Sequence, residues 1–306
     1  MFDEMKAYVA SKGLPPEDGH GLPRSTRTFP DGAHFRIEIP TINNPVALKS
    51  LLEHAASFEI ELNRISLTYG IMRFTDREIR ECLALSRQYG AEVFMMVGPR
   101  AVLDIGAQAH IASLNAQQVA YRLRGMDQVV YALEDVKRAV DLGCRGFIVC
   151  DDGLLYLLNE MRRDGVIPGE TQFKASVLLG TANPVHARLL QEAGADSINV
   201  QRDLPLALIA GIRQAVSVPL DVHANNPEQT GGFVRTYEVP RMVEVAAPMY
   251  VKTGNVAVTK HSMWVDEGAG YRMAREAYLT VYHIRKYLPT ARQTRREERT
   301  LALPAA

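Results

Sequence analysis

Short runs rich in β-branched and aromatic residues alternate along the chain with stretches whose apolar positions recur at helical spacing. The strand-like runs are HFRIEIPT from His34, RISLTYG from Arg64, EVFMMVG from Glu92, GFIVCDD from Gly146, FKASVLL from Phe173, SINVQRD from Ser197, PLDVHAN from Pro219 and PMYVKTG from Pro248. Between most of them lie amphipathic segments, among them NPVALKSLLEHAASF, TDREIRECLALSRQYG, MDQVVYALEDVKRAVDLG and NPVHARLLQEAG. Alternating units of this kind imply a parallel sheet covered by helices. Repeated this often, they predict an α/β fold, a (β/α)8 TIM barrel, over residues 33–290. An open doubly wound sheet gives similar local signals, but no G-x-G-x-x-G follows a strand.

The punctuation agrees. Asn44-Pro45 and Asn183-Pro184 read as an N-cap followed by proline at the first helical position, where a missing N–H costs nothing. Gly90, Gly143 and Gly194 fall between a helix and the next strand, as a left-handed C-terminal cap requires. Three regions stand outside the repeat: an N-terminal extension (1–32), an insertion (101–125) and a C-terminal tail (291–306). The insertion leaves the face on which barrel active sites lie, which suits either a lid or an oligomer contact.

Composition narrows the partners. Lys plus Arg equal Asp plus Glu at 35 each, so no net field gathers nucleic acid or an anionic membrane. The first residues, MFDEMKAYVASKG, contain no apolar segment of a secretory leader, and no apolar run approaches the roughly 18 residues of a membrane span. A cytoplasmic protein without nucleic-acid or membrane partners, able to form a homo-oligomer, is expected. Cys82, Cys144 and Cys150 are sparse, odd in number and without a C-x-x-C pair, so core packing is their default role.

Three stretches carry a family resemblance: GCRGFIVCDDGLLYLLNEM from Gly143, FKASVLLGTANPVHARLLQEAGADSINVQRDLPLALIAGIRQ from Phe173, and VPLDVH from Val218. In order they hold Gly153-Leu154-Leu155, Ala175-Ser176 with Asn183-Pro184, Gly194-Ala195, Arg202-Asp203-Leu204, and Asp221 with His223. This order resembles the peptidase U32 family. The resemblance implies a barrel and a peptidase name, with relatives that are iron–sulfur-dependent hydroxylation enzymes acting on RNA or quinone precursors. Members with the cluster carry several cysteines after the strand equivalent to PLDVH, whereas ANNPEQTGGF has none, so no iron–sulfur cluster is expected.

Candidate chemistry follows from strand ends. Side chains two apart share a face, so Asp221, His223 and Asn225 should project together. With Glu38 from the first strand, Asp221 and His223 offer oxygen and nitrogen ligands for one divalent ion, manganese, zinc, magnesium or iron. The alternative is a buried ion-pair layer in which Asp221 and Glu38 satisfy Arg36, Lys174 or Lys252. Either lysine, desolvated inside a barrel, could instead form a Schiff base with a carbonyl substrate.

Asp151 at the end of the fourth strand is a candidate general base or a helix N-cap. Arg202 suits bidentate grip of a carboxylate or phosphate. Gly231 and Gly232, together with Gly254 and Asn255, could present N–H groups to an anion or form ordinary tight turns. Lys260, His261 and Trp264 suit a lid, or in the case of Trp264 packing beneath a loop.

Together these residues predict an enzyme for a small anionic substrate. Arg202, Lys252, Gly231, Gly232 and Asn255 would bind it, while Asp221, His223 and Asp151 carry out metal-assisted or general acid–base hydrolysis or lyase chemistry. A peptidase, and a non-catalytic binding or assembly protein, are the alternatives.

Overall fold

The computed structural model describes residues 3–18, 21–98, 105, 120–259, 263–298 and 304–305. Its strands are β1 (Phe35–Pro40), β2 (Arg64–Leu67), β3 (Glu92–Met96), β4 (Gly146–Val149), β5 (Gln172–Ala175), β6 (Ser197–Asn199), β7 (Leu220–His223) and β8 (Met249–Lys252). They pair in parallel in sequence order, and β8 closes on β1. The closing register sets Glu38 opposite Lys252, and the β7–β8 register sets His223 opposite the same lysine. The predicted barrel is therefore the observed fold.

The described helices are α1 (Asp3–Ser11), α2 (Pro45–Ser57), α3 (Asp76–Gln88), α4 (Gly125–Asp141), α5 (Asp152–Arg163), α6 (Pro184–Glu192), α7 (Leu206–Ala215), α8 (Val239–Ala246) and α9 (Glu267–Tyr287). Local chemistry starts and stops them as the sequence suggests. Asn44 Oδ1 accepts from Ala47 N at 2.9 Å and Asn183 Oδ1 from His186 N at 2.9 Å, each with proline at the first helical position. Thr75 and Glu78 form a reciprocal capping box at α3. Gly90, Gly143 and Gly194 adopt φ of 65°, 103° and 106° where each helix hands over to the next strand. None of the described helices is long and apolar enough to cross a membrane.

Outward strand residues such as Ile37, Ile39, Ile65, Val93, Phe147, Phe173, Val222 and Val251 are buried against the inner faces of the helices and form the main core. The interior of the barrel is different. Its lower level is charged, and the two outer regions of the sequence close it from beneath. Arg36 Nη1 donates to Glu92 Oε1 at 2.9 Å, Arg64 Nε donates to Glu92 Oε2 at 3.0 Å, and the Tyr250 hydroxyl donates to the same Oε2 at 3.0 Å. From the N-terminal side, Asp31 pairs with Arg36 at 3.3 Å and the Phe29 ring lies 4.2 Å from its guanidinium carbon.

From the C-terminal side, Gln293 bridges Phe35, Arg36 Nε donates to Thr294 Oγ1 at 3.0 Å, and Asn63 Nδ2 donates to the Thr294 carbonyl at 2.9 Å. Residues 29–33 and 291–294 are thus structural parts of the barrel floor. The boundaries drawn at residues 32 and 290 cut through this seal.

Candidate active site

Polar inward residues at the strand starts would be costly if unpaired, and the sequence supplies opposite charges at matching heights. Above the floor, Glu38 and Asp221 face each other across Lys174. The Lys174 ammonium bonds Glu38 Oε1 and lies 3.0 Å from Asp221 Oδ2, and all three side chains are sealed from solvent. Ser66 Oγ donates to Glu38 Oε1 at 2.7 Å, and Arg64 Nη1 lies 3.4 Å from Asp221 and 3.7 Å from Glu38. Burial alone would raise the Glu38 carboxyl, but Lys174, Lys252 and Arg64 hold it well below the usual carboxylate range.

The ion-pair reading of the two carboxylates is therefore the geometry found, with Lys174 and Lys252 as two of its cations. Arg64 is the third, and Arg36 belongs to the level beneath. As a set, Glu38, Asp221 and His223 are divided between two levels. Lys174 stands between the carboxylates where a bridging metal would sit, and His223 is above, at the cavity. No group of three His, Cys, Asp or Glu side chains among the described residues is placed to hold a metal ion. The three cysteines do not suit a cluster: Cys82 lies in α3, Cys144 and Cys150 flank β4, and all are buried in the packing.

A cavity of about 350 Å³ opens at the C-terminal ends of the strands. One wall is largely apolar, with Met96, Ile148, Leu178 and Tyr121; the other is polar, with Thr41, Asn199, Arg202, His223, Lys252 and Asn255. Lys252 Nζ donates to Asn199 Oδ1 at 2.8 Å and stands 3.4 Å from Glu38 Oε1, an oxygen already bonded by Lys174 and Ser66. The amide of Asn199 is turned by its own Nδ2, which donates to the Asp221 carbonyl at 3.0 Å. Burial lowers the Lys252 ammonium to about 7; Lys174 and Arg202 push the same way, and Glu38 and Asp221 resist.

Arg202 is the second cation at the cavity. Burial weakens its hold on its proton, Tyr121 and Asp203 oppose this, and its Nε has no hydrogen-bond partner among the described residues. Asn255 contributes a fixed amide: its Oδ1 accepts from Thr41 Oγ1 at 3.1 Å and its Nδ2 donates to Asn226 at 3.2 Å.

Other expected site residues take different positions. Asp151 is the N-cap of α5, accepting from Leu154 N at 3.1 Å and from Leu123 N at 3.3 Å, and it does not line the cavity. Gly231 and Gly232 form a left-handed turn after a short 3-10 segment; their neighbour Thr230 reaches the cavity wall and they do not. Asn225 leaves the face shared by Asp221 and His223, because β7 ends at His223 and the amide donates to Thr253 and to Glu276 of α9, each at 3.1 Å. Trp264 is half exposed and packs edge-on against Tyr69 with centroids 5.8 Å apart. Lys260, His261 and most of the 101–125 insertion lie outside the described residues, although Tyr121 near its end lines the cavity.

Asn199, Thr41, Met96 and Tyr121 had no signal as site residues. Arg64 and Glu92 had one: each opens a strand, so the period-2 alternation places Arg64, Ser66 and Thr68 on one polar face.

Comparison with known proteins adds one sequence match. The model of peptidase family U32 matches residues 106–226. No curated protein matches the chain. Among solved structures, the YdjI aldolase from Escherichia coli K12 is similar over 83% of this chain and 90% of its own, with 13% identity and a TM-score of 0.46. The U32 peptidase Mk0906 is similar over 66% of this chain and 73% of its own, with 16% identity and a TM-score of 0.40. A structure titled "Native KDPGal structure" covers 86% of this chain and 98% of its own, at 11% identity and a TM-score of 0.49. Likeness at these levels bears on neither substrate nor reaction.

Proposed function

We propose, from the match of the peptidase family U32 model to residues 106–226, that this chain is a barrel enzyme. It takes a small carboxylate or phosphate compound into the C-terminal mouth and acts on it by general acid–base chemistry of the lyase or hydrolase kind. One observation carries the reading: Lys252 and Arg202 line the same cavity, where Lys252 shares its one carboxylate, Glu38, with Lys174 and Arg64, and Arg202 Nε has no hydrogen-bond partner among the described residues. Asp31, Glu38, Glu92 and Asp221 are matched below by Arg36, Arg64, Lys174 and Lys252. Arg202 stands outside that set, with Asp203 the acidic neighbour acting on it, and its unpartnered Nε among the described residues suits an anionic ligand.

The division of labour follows from the protonation of each group. Arg202 keeps its charge and suits the anionic end of a substrate. Lys252, with its proton held only to about 7, exchanges it near neutral pH and suits the role of base or acid. His223, its register partner on β7, lines the same wall and is the second group able to move a proton. The apolar wall of Met96, Ile148 and Leu178 suits a short hydrocarbon portion.

The peptidase reading gains no support from the hydroxyls at the cavity. Thr41 Oγ1 directs its proton to Pro40 O or Asn255 Oδ1 and Ser176 Oγ accepts from Leu178 N, contacts that are those of structural hydroxyls.

Calorimetric titration with inorganic phosphate and malonate tests the reading. Wild type should bind at least one of them, and Arg202→Met should weaken that binding about tenfold or more, the scale of a lost charge-assisted contact. Binding that ignores the substitution, or no binding of either anion, would overturn it.

A further inference from the structure

We propose that Lys252 is a covalent nucleophile, forming an imine with a small carbonyl compound that also bears a carboxylate or phosphate, of the 2-oxo-acid or phosphorylated-aldehyde type. The inference rests on the proposed use of the cavity by an anion and adds the identity of the reacting group.

Among the described residues two lysines point into this barrel, and their surroundings differ in kind. Lys174 is fully enclosed, bonded to Glu38 and 3.0 Å from Asp221, so its ammonium is fixed as the counter-ion of both. Lys252 lines the cavity. Its one close partner is the neutral Asn199 oxygen at 2.8 Å, and its carboxylate contact, Glu38 at 3.4 Å, is with an oxygen already claimed by Lys174 and Ser66. Loss of the Lys252 proton therefore leaves the pairing beneath it intact. Lys174 is also one of the positive charges that favour that loss, with burial as the larger cause.

The groups needed around an imine are present at the same wall. The neutral Nζ attacks the carbonyl carbon, a C–N bond forms, and the C=O π pair moves to oxygen, which takes up the proton the nitrogen releases. Departure of that hydroxyl as water, with the second proton of the nitrogen, completes the C=N bond. In sum, one carbonyl compound and one neutral lysine amine give one imine and one water, and no external oxidant or reductant is consumed. His223, opposite Lys252 in the β7–β8 register, is the group placed to carry the proton to the departing hydroxyl. Arg202 would hold the anionic end so that the carbonyl faces Lys252. Once protonated, the imine is a cation beside Glu38, occupying the charge position of the original ammonium.

The experiment is reductive trapping. Full-length protein is incubated separately with pyruvate, glyoxylate and pyridoxal 5′-phosphate, reduced with sodium borohydride, and read by intact mass and peptide mapping. The expected result is a single secondary-amine adduct on the peptide containing Lys252 with at least one probe, suppressed by excess malonate or phosphate. Lys252→Arg should remove it, and Arg202→Met should lower its yield about tenfold at low probe concentration. Mapping on wild type locates the adduct even if a variant fails to fold. Absence of any adduct on Lys252, or labelling shared evenly with surface lysines, overturns the inference. If anions nevertheless bind in an Arg202-dependent manner, only the covalent role of Lys252 falls; if they do not, the anion-binding reading falls with it.

Discussion

Lys174 Nζ lies 3.0 Å from Asp221 Oδ2, and neither side chain touches solvent. A buried pair is weak evidence for added stability, yet removing one partner strands the other in a medium that cannot solvate it, at a cost of about 3–5 kcal/mol. Lys174→Met should therefore destabilise the fold by about this amount, because it leaves Glu38 and Asp221 short of a cation at once. Adding Asp221→Asn to the variant should restore part of the loss. Denaturant unfolding of the single and double variants checks both statements, and a Lys174→Met protein as stable as wild type would mean the ion layer is dispensable.

Lys252 gives stability a pH signature. Its folded value of about 7 lies below its ordinary 10.5, so between those limits the unfolded chain holds a proton that the folded chain has released. The unfolded state then binds more protons, and the contribution of this residue to stability rises with pH from about 7 upward, approaching about 1.4 kcal/mol per pH unit while the full proton difference persists. The unfolding free energy of wild type minus that of Lys252→Met, measured from pH 6 to 9, should increase across this window. A flat difference would show that the ammonium keeps its proton in the fold.

Gly270 marks a close crossing of α9 over α2. A Cβ there would stand 2.6 Å from both Ala47 O and Leu51 N of α2, which are backbone atoms that cannot rotate away. Gly270→Ala should cost about 3 kcal/mol, at the upper end of overpacking. Gly169→Ala, with nothing within 4 Å of the new carbon, should leave the melting temperature nearly unchanged. Equal effects of the two substitutions would refute the close approach of α9 to α2.

Metal retention separates the two readings of the acidic residues. With Lys174 standing between Glu38 and Asp221, wild type equilibrated with manganese, zinc, magnesium or iron and then desalted should keep well under one equivalent by elemental analysis. Stoichiometric retention, abolished by Asp221→Ala and His223→Ala with the fold intact, would restore the metal-assisted mechanism.

The barrel was legible because its signals are local. Period-2 runs, Asn-Pro caps and closing glycines each act over a few residues, and Asn44, Asn183 and Gly194 do in three dimensions what their spacing implied. The site was legible one strand at a time. Arg202, Lys252, His223 and Asn255 meet at one cavity because each ends a strand or opens the loop beyond it.

What spacing could not convey was height within the barrel, set by the stagger between strands. Glu38 and Asp221 look equivalent to His223 in sequence, yet they sit one level lower against Lys174. Asp151 shows a different ambiguity, since an aspartate between strand and helix has the same appearance whether it serves substrate or caps Leu154. Asn199 gave no signal because its importance comes from a neighbour two strands away in the barrel, Lys252.

For the proposed activity, the seal beneath the strands would set how molecules travel through the barrel. Phe29, Arg36, Glu92, Tyr250 and Thr294 fill the lower end, and the described cavity opens at the top. Reactant and product of the proposed reaction would both pass through that mouth. A product that keeps the anionic handle would contend with incoming reactant for the same vestibule, so its inhibition should be competitive and turnover should depend on how quickly the doorway is vacated.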